Sequence, residues 1–140
     1  MTLRKFDQNK IDSLFERAIG HRDSNEFEEA IKLFEQILKS PEIPESYMVN
    51  TTGVLGGVFL ENGEPARAQG CFELVVQHRR TSLLASQGLF HSLLDQGLKS
   101  EAIIEAERYF SLAPSNTNVQ KSWEGDYECY KSALGDVKAL

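Results

Sequence analysis

Cysteine, proline and tryptophan are scarce in this sequence of 140 residues, which contains two, four and one of them, respectively. Cys71 and Cys129 are too few and too far apart for the disulfide framework of a small secreted domain. The sequence also lacks an apolar run of the roughly 20 residues that cross a bilayer. Its first ten residues lack the apolar core of a secretion signal. We therefore expect a cytoplasmic chain with reduced thiols and no membrane insertion.

Positive charge is also in short supply, because 15 Lys and Arg residues face 21 Asp and Glu residues and leave a net charge of −6. Nucleic-acid binding requires a clustered basic face, and the one dense basic group is His78, Arg79 and Arg80. These side chains complement the carbonyl end of a helix dipole if a helix ends there. We therefore expect no nucleic-acid partner. A hydrophobic share of 41% instead fits one globular domain, residues 1–140.

Three stretches of the sequence are similar to one another: EFEEAIKLFEQIL (26–38), EPARAQGCFELVV (64–76) and KSEAIIEAERYFS (99–111). Each contains an alanine at the same place, and the alanines recur after 38 and then 34 residues: Ala30, Ala68 and Ala102. Five residues before each alanine stands a residue that tolerates left-handed backbone, where we expect a turn: Asn25, Gly63 and Gly97. The four extra residues of the first interval are expected in segment 40–46, because Pro41 and Pro44 prevent a helix from continuing.

On both sides of each turn the apolar residues have the three- and four-residue spacing of an amphipathic helix. The sequence thus predicts three helical hairpins, which must stack to cover their apolar faces. This pattern resembles the tetratricopeptide repeat (TPR), a helix–turn–helix unit of about 34 residues. The resemblance implies an all-α fold, a right-handed helical-hairpin solenoid of three repeats, with these boundaries: 11–44, 49–82 and 83–116.

Two family positions change residue type in the third repeat. The small residue of the first helix falls on Ala18, on Gly56 and, out of pattern, on Phe90. The aromatic residue of the second helix falls on Phe34 and Phe72 but is replaced by Ala106. We nevertheless expect the third pair of helices to be a repeat, because its turn and its Ala102 are in register with the other two.

One further amphipathic face follows the repeats: Val119, Trp123, Tyr127, Tyr130 and Leu134. The last repeat of a solenoid needs a polar outer side. We therefore expect a capping helix over residues 117–134, with N-cap candidates in Ser115 to Asn118. Trp123 is expected to anchor this helix, because buried aromatic side chains dominate core energetics.

In TPR arrays the first helices line a concave groove. The resemblance implies that the groove residues here are Asp12, Phe15, Ile19, Asn50, Gly53, Gly57, Leu60, Leu84, Gln87, His91 and Leu94. Apolar pockets for a peptide would be supplied by Phe15, Ile19, Leu60, Leu84 and Leu94. Hydrogen bonds to the peptide would come from Asn50, Gln87 and His91.

Three glycines stand in the first helix of the second repeat, although each costs roughly 1 kcal/mol relative to alanine. Gly56 falls on the small position, where the two helices of a hairpin come closest. Gly53 and Gly57 lie four residues apart on the adjacent face. They either leave bare backbone that a partner chain can approach, or they admit a bulky neighbour such as Phe15 or a terminal segment of this chain.

The predicted groove lacks positive charge. TPR cochaperones that hold the acidic carboxyl terminus of heat-shock chaperones use a clamp of Lys, Asn and Arg, but the corresponding positions here are Phe15, Ile19, Val54, Leu84 and Gly88. That function is therefore not expected. The last turn of each first helix carries an acid: Asp23, Glu61 and Asp95. These acids either form a rim that attracts a basic flank of a partner or are solvated surface charges.

The sequence shows no pattern that indicates catalysis. Each histidine lacks a second nitrogen or sulfur ligand, a His or Cys, three or four residues away: His21, His78 and His91. We expect His21 in the core and His91 at the groove. Cys71 is expected to be a structural thiol on the buried side of its helix. No glycine-rich loop connects a strand to a helix, so phosphate-binding motifs are absent. We predict neither an enzyme nor a cofactor.

These observations favour a protein–protein interaction module of adaptor or chaperone type, which binds a peptide segment in its groove. The length and repeat number also resemble the small TPR chaperones of bacterial type III secretion. Two alternatives remain: a self-associating component of a structural scaffold, and an inhibitor- or immunity-type partner of another protein. The expected partner is therefore another protein or peptide, or a second copy of the chain.

Overall fold

The computed structural model describes residues 5–113 and 118–139, and this part of the chain is all-α, without a strand. Its helices are α1 (Gln8–Asp23), α2 (Phe27–Leu38), α3 (Glu45–Glu61), α4 (Pro65–His78), α5 (Leu83–Asp95), α6 (Lys99–Leu112) and α7 (Asn118–Ala139). None of these helices is both long enough and apolar enough to span a membrane.

The three predicted turns join the helices of each hairpin. Their central residues are left-handed, with φ of 60°, 75° and 78° at Asn25, Gly63 and Gly97. The residue after each centre donates its backbone N–H to the carbonyl five residues earlier: Glu26 to His21 at 2.8 Å, Glu64 to Phe59 at 2.8 Å and Leu98 to Leu93 at 2.9 Å. This six-to-one bond defines the Schellman motif. The same residue then serves as the N-cap of the next helix.

The helices pack as three hairpins stacked in chain order. Helix α1 packs on α2, α3 on α4, and α5 on α6, while α2 contacts α3 and α4 contacts α5. The alanines that define the repeat allow this close approach, since Ala18, Ala30, Ala68 and Ala102 are fully buried. The prediction of stacked helical hairpins is therefore confirmed.

The four extra residues between Ala30 and Ala68 lengthen helix α3, not just the loop before it. By the 34-residue interval, Val49 of α3 corresponds to Leu83, the first residue of α5. Helix α3 begins four residues earlier, at Glu45, immediately after Pro44. The expectation that the insertion lies in segment 40–46 is thus only partly correct, since the chain gains an additional helical turn, Glu45 to Met48, at the start of α3.

In the third hairpin the large side chain stands on the first helix and the small one on the second, the reverse of the other two hairpins. Phe90 of α5 stands where the other repeats have Ala18 and Gly56, and Ala106 of α6 stands where they have Phe34 and Phe72. Both Phe90 and Ala106 are buried. The ring neighbours of Phe90 on another helix belong to α7, at 5.7 Å for Trp123 and 6.3 Å for Tyr130, so the capping helix packs on the position that departs from the family pattern.

Helix α7 packs against the last hairpin through Trp123, as predicted. The indole is 2% exposed. Its ring centroid lies 5.0 Å from that of Phe110, 5.2 Å from Tyr109 and 5.7 Å from Phe90. The helix continues to Ala139, beyond the predicted end at residue 134. The N-cap candidates 115–117 and the Val119 side chain lie outside the described residues.

Candidate functional site

The eleven predicted groove residues lie on α1, α3 and α5, and none of them is buried. We call this surface the groove face. Leu84 is the most exposed large apolar side chain in the described part of the chain, at 79%. Phe15, Ile19, Leu60 and Leu94 are half-buried and pack against the core at their inner sides. The groove face therefore presents apolar atoms to solvent along all three first helices.

Two hollows open between neighbouring helices of the groove face. The α3–α5 hollow has a volume of about 380 Å³ and is lined by Val49, Asn50, Gly53, Val54, Phe72, Val75, Arg79, Ser82, Leu84 and Ala85. Asn50, Gly53 and Leu84 are the predicted groove residues among them. The remainder of the lining is mainly apolar, so this hollow suits an apolar side chain.

The second hollow lies between α1 and α3 and differs in chemistry. The α1–α3 hollow has a volume of about 230 Å³ and is lined by Asp12, Phe15, Ser46, Tyr47, Asn50 and Thr51. Tyr47 and Asp12 face each other across this hollow, since both line it. Burial and the negative charge of Asp12 raise the pKa of Tyr47, because both disfavour the phenolate. Asn50 belongs to both hollows, so they adjoin on opposite sides of α3.

The other six predicted residues line neither hollow: Ile19, Gly57, Leu60, Gln87, His91 and Leu94. His91 is exposed, and its ring lies 5.5 Å from that of its neighbour Phe90. The two hollows therefore occupy only the half of the groove face that is nearer the starts of α3 and α5.

The four glycines of α3 and α5 have two separate roles. A Cβ at Gly57 would have no other described atom within 4 Å, and one at Gly53 would only touch Val75 at 3.7 Å. No described side chain, Phe15 included, fills the space over Gly57. A Cβ at Gly56 would instead lie 2.9 Å from the Phe72 ring, and one at Gly88 would lie 2.5 Å from it. Gly56 and Gly88 therefore leave room for the Phe72 ring. Gly53 and Gly57 instead leave uncovered backbone, which we call the open floor of the groove face.

The predicted basic group at the end of α4 has a specific partner. Glu45, in the additional turn of α3, lies 3.1 Å from both His78 Nδ1 and an Arg79 guanidinium nitrogen. Hydrogen bonds from Arg79 and His78 lower the pKa of Glu45. The group thus ties α3 to α4, in addition to its favourable place at the carbonyl end of α4.

The three predicted acids are the last residues of α1, α3 and α5: Asp23, Glu61 and Asp95. All three are exposed. Asp23 accepts hydrogen bonds from Arg22 at 3.0 and 3.1 Å. Since Arg22 neutralises Asp23, the negative charge of this row is concentrated at Glu61 and Asp95.

The remaining histidine and cysteine predictions are met in part. His21 is not a core residue, because a third of its side chain is exposed and Nδ1 lies 3.3 Å from Glu26. Cys71 is half-buried, and burial raises the pKa of its thiol to about 11. A thiol with this pKa is almost entirely protonated at neutral pH, so its nucleophilicity is low. Within residues 5–113 and 118–135, no cluster of three metal-binding side chains occurs.

No family model matches the sequence, and no curated protein does. Solved structures match over nearly the whole chain. The first TPR of Spaghetti (RPAP3), bound to the HSP90 peptide SRMEEVD, is 18% identical with a TM-score of 0.73, over 92% of this chain and 96% of that one. The type III secretion translocator chaperone SycD of Yersinia enterocolitica (alternative dimer) is 17% identical with a TM-score of 0.73, over 94% and 96%.

A third similar structure is the C-terminal TPR-containing domain of an FK506-binding protein from Plasmodium falciparum. It is 17% identical with a TM-score of 0.70, over 97% of each chain. At these identities the matches show the fold alone. The chain has a tetratricopeptide-repeat fold.

Sequence reasoning missed three residues that shape the groove face. Tyr47 lies in the additional turn of α3, which the repeat alignment treats as an insertion and assigns no role. Arg79 contributes to the α3–α5 hollow from the end of α4, although only first helices were expected there. Gly88 contacts Phe72, and a search for glycines opposite the aromatic position of the preceding hairpin could have identified it.

Proposed function

We propose that this chain is a protein-interaction module of adaptor or chaperone type, which binds a peptide segment along the groove face. The observation that carries the proposal is the open floor at Gly57, in the middle helix of the three. A helix glycine without a packing neighbour costs stability relative to alanine and gains no internal contact. Its absent side chain therefore leaves room for a second chain to approach the backbone.

The energy for binding would come chiefly from apolar burial. Exposed apolar surface contributes about 25 cal/mol per Å² when it is covered, before the costs of association. Leu84, Phe15 and Leu94 offer such surface on α5 and α1, and Asn50 and Gln87 offer hydrogen-bonding groups beside it. This combination of apolar pockets with a few polar groups is typical of peptide-binding surfaces.

Glycine 57 allows a direct test with a matched control. Gly57→Leu should place a side chain over the floor and weaken peptide binding at least tenfold. Its melting temperature should stay the same or rise, because leucine is the better helix former by about 0.8 kcal/mol. The measurement is fluorescence anisotropy with a peptide selected from a random phage-displayed library against the wild-type chain, together with thermal unfolding.

Gly70→Leu is the control. Gly70 is an exposed glycine of α4 with no described atom within 4 Å of a Cβ. It offers the same gain in helix propensity outside the groove face. Equal affinity of the Gly57→Leu variant and the wild type would show that the peptide does not bind over Gly57, and the proposal would lose the observation that carries it.

Self-association is the second candidate function. It is favoured by two exposed apolar side chains on α6, away from the groove face: Ile104 at 64% and Leu112 at 46%. Light scattering across a concentration series separates the candidates. A dimer that Ile104→Ser dissociates and Gly57→Leu leaves intact would support a scaffold role.

A further inference from the structure

The α1–α3 hollow combines a carboxylate with aromatic walls. Asp12 lies beside Phe15 and Tyr47, and Asn50 and Thr51 add polar groups. Among the described residues no cation pairs with Asp12, which lines the hollow beside Tyr47. A carboxylate flanked by aromatic faces is suited to an ammonium or guanidinium group, which gains both charge pairing and cation–π attraction.

The charges around this hollow have the same sign. Glu16 lies one helical turn from Asp12 on α1 and is also exposed. Farther along the groove face, at the ends of α3 and α5, Glu61 and Asp95 have no salt bridge in the described part of the chain. Arg22 pairs with Asp23, and Arg79 pairs with Glu45. Lys10 and Arg17 of α1 form no ion pair with any described residue but stand about 160° and about 140° around the helix from Asp12, away from the hollow. The groove face is therefore net negative, in a chain whose net charge is −6.

The additional turn of α3 forms one wall of this hollow. Ser46 and Tyr47 belong to the four residues that α3 has beyond the length of α5. The Phe6 ring stacks edge-on against Tyr47, with centroids 5.0 Å apart, and supports the wall from outside the repeats. The corresponding start of α5 has no such turn, which explains why only the α1–α3 hollow contains an acid between aromatic rings.

We propose that the peptide partner presents a lysine or arginine side chain to the α1–α3 hollow and an apolar side chain to the adjoining α3–α5 hollow. This inference rests on the proposed peptide-binding function. The hollow of about 230 Å³ holds several groups the size of a water molecule, at about 30 Å³ each, and so accommodates either basic head group. The two hollows lie one helix diameter apart, about 10 Å, which an extended peptide spans in about three residues.

Such a partner differs in charge from the acidic peptide SRMEEVD of the RPAP3 structure. The five positions that correspond to a carboxylate clamp contain no Lys or Arg in this chain: Phe15, Ile19, Val54, Leu84 and Gly88. An acidic peptide would meet Asp12 and Glu16 without a compensating cation. Charge complementarity therefore selects a basic segment, and binding should weaken as salt is added.

The test begins with selection from a random phage-displayed peptide library on the 140-residue chain. We expect enriched sequences to carry Lys or Arg about three residues from an apolar residue. The most enriched peptide, labelled with fluorescein, is then titrated with wild-type protein and with Asp12→Asn. This substitution removes the charge and keeps the size and shape of the side chain. We expect a loss of affinity of about fivefold, the effect of one partly exposed ion pair.

Two controls isolate the pairing. Asp126→Asn changes the net charge equally at an exposed position of α7 and should leave the affinity unchanged. A peptide in which norleucine replaces the basic residue should bind wild type and Asp12→Asn equally, which closes a double-mutant cycle. Enriched peptides that Gly57→Leu weakens but that lack a basic residue, or that ignore Asp12→Asn, would refute this inference and leave the proposed function intact. Failure to select any peptide whose affinity falls with Gly57→Leu or with Asp12→Asn would refute both.

Discussion

Phe72 is the side chain at which the second and third hairpins meet. Its ring lies where a Cβ of Gly56 would be 2.9 Å away on α3 and a Cβ of Gly88 2.5 Å away on α5. The ring is thus confined from two sides and is only 6% exposed. The ring also borders the α3–α5 hollow, so a methyl group added to either glycine must turn the ring out of its present geometry toward that hollow or displace backbone.

Gly88→Ala should therefore destabilise the fold. Overpacking costs about 1–3 kcal/mol, and alanine returns up to about 1 kcal/mol of helix propensity. We expect a net loss of about 1–2 kcal/mol in the free energy of unfolding, measured by urea denaturation. Gly70→Ala is the matched control and should be stabilising, because its Cβ meets only open space. If the two variants were equally stable, the confinement of Phe72 would have no energetic consequence.

At the scale of a single element, α4 shows how the repeat register determines which side chains are buried. Ala68 is fully buried, whereas Ala66, two residues earlier on the same helix, is exposed. The difference follows from the 100° rotation per residue of an α-helix, which places residues two apart on different faces. One pair of alanines on one helix can thus report on the predicted register.

Ala68→Glu should prevent stable folding, because it would bury an unpaired carboxylate between packed helices. We expect a loss of more than about 3 kcal/mol, visible as a collapsed melting transition in circular dichroism. Ala66→Glu should leave the melting temperature unchanged or slightly raised, since an acid in the first turn of a helix interacts favourably with its dipole. An Ala68→Glu variant that melts like the wild type would overturn the repeat register.

The elements themselves were accessible to sequence reasoning, because their determinants are local. The turns at Asn25, Gly63 and Gly97 need residues that adopt positive φ, and the buried alanines recur at a fixed distance after them. Contacts between residues of different hairpins could not be predicted from the sequence in this way. The close approach of Gly88 to Phe72 and that of Tyr47 to Asp12 bring together residues far apart in sequence, and their geometry depends on how the hairpins stack.

At the scale of the whole molecule, the last hairpin depends on α7 to cover its aromatic side chains. Trp123 lies among Phe90, Tyr109 and Phe110, and Tyr127 adds a ring 5.4 Å from Phe110. The Tyr127 hydroxyl donates to Glu107 of α6 at 2.9 Å. Burial, followed by this contact, raises the pKa of Tyr127. Helix α7 therefore covers the end of the last hairpin through a cluster of aromatic rings and a hydrogen bond at the edge of that cluster.

Trp123→Ala should weaken this closure most. Deleting a buried aromatic side chain costs about 3–5 kcal/mol, so we expect a lower melting temperature and faster amide hydrogen exchange in α7 and α6. Tyr130→Ala is the comparison, because Tyr130 is half-buried and its ring lies 6.3 Å from Phe90. Tyr130→Ala should lower the free energy of unfolding clearly less than Trp123→Ala does. Slow exchange in α7 of the Trp123→Ala protein would show that other contacts hold this helix.

Three residues restrict where this chain can be lengthened, because each of them belongs both to the end of one helix and to the start of the next: Glu26, Glu64 and Leu98. Each of them terminates one helix and caps the next, so an added residue inside a hairpin would disrupt two helices together. No residue of segment 39–44 or of the start of α3 both ends one helix and caps the next. The length difference between the two repeat intervals is located there. New loops, tags or binding segments should accordingly be tolerated between hairpins and rejected within them.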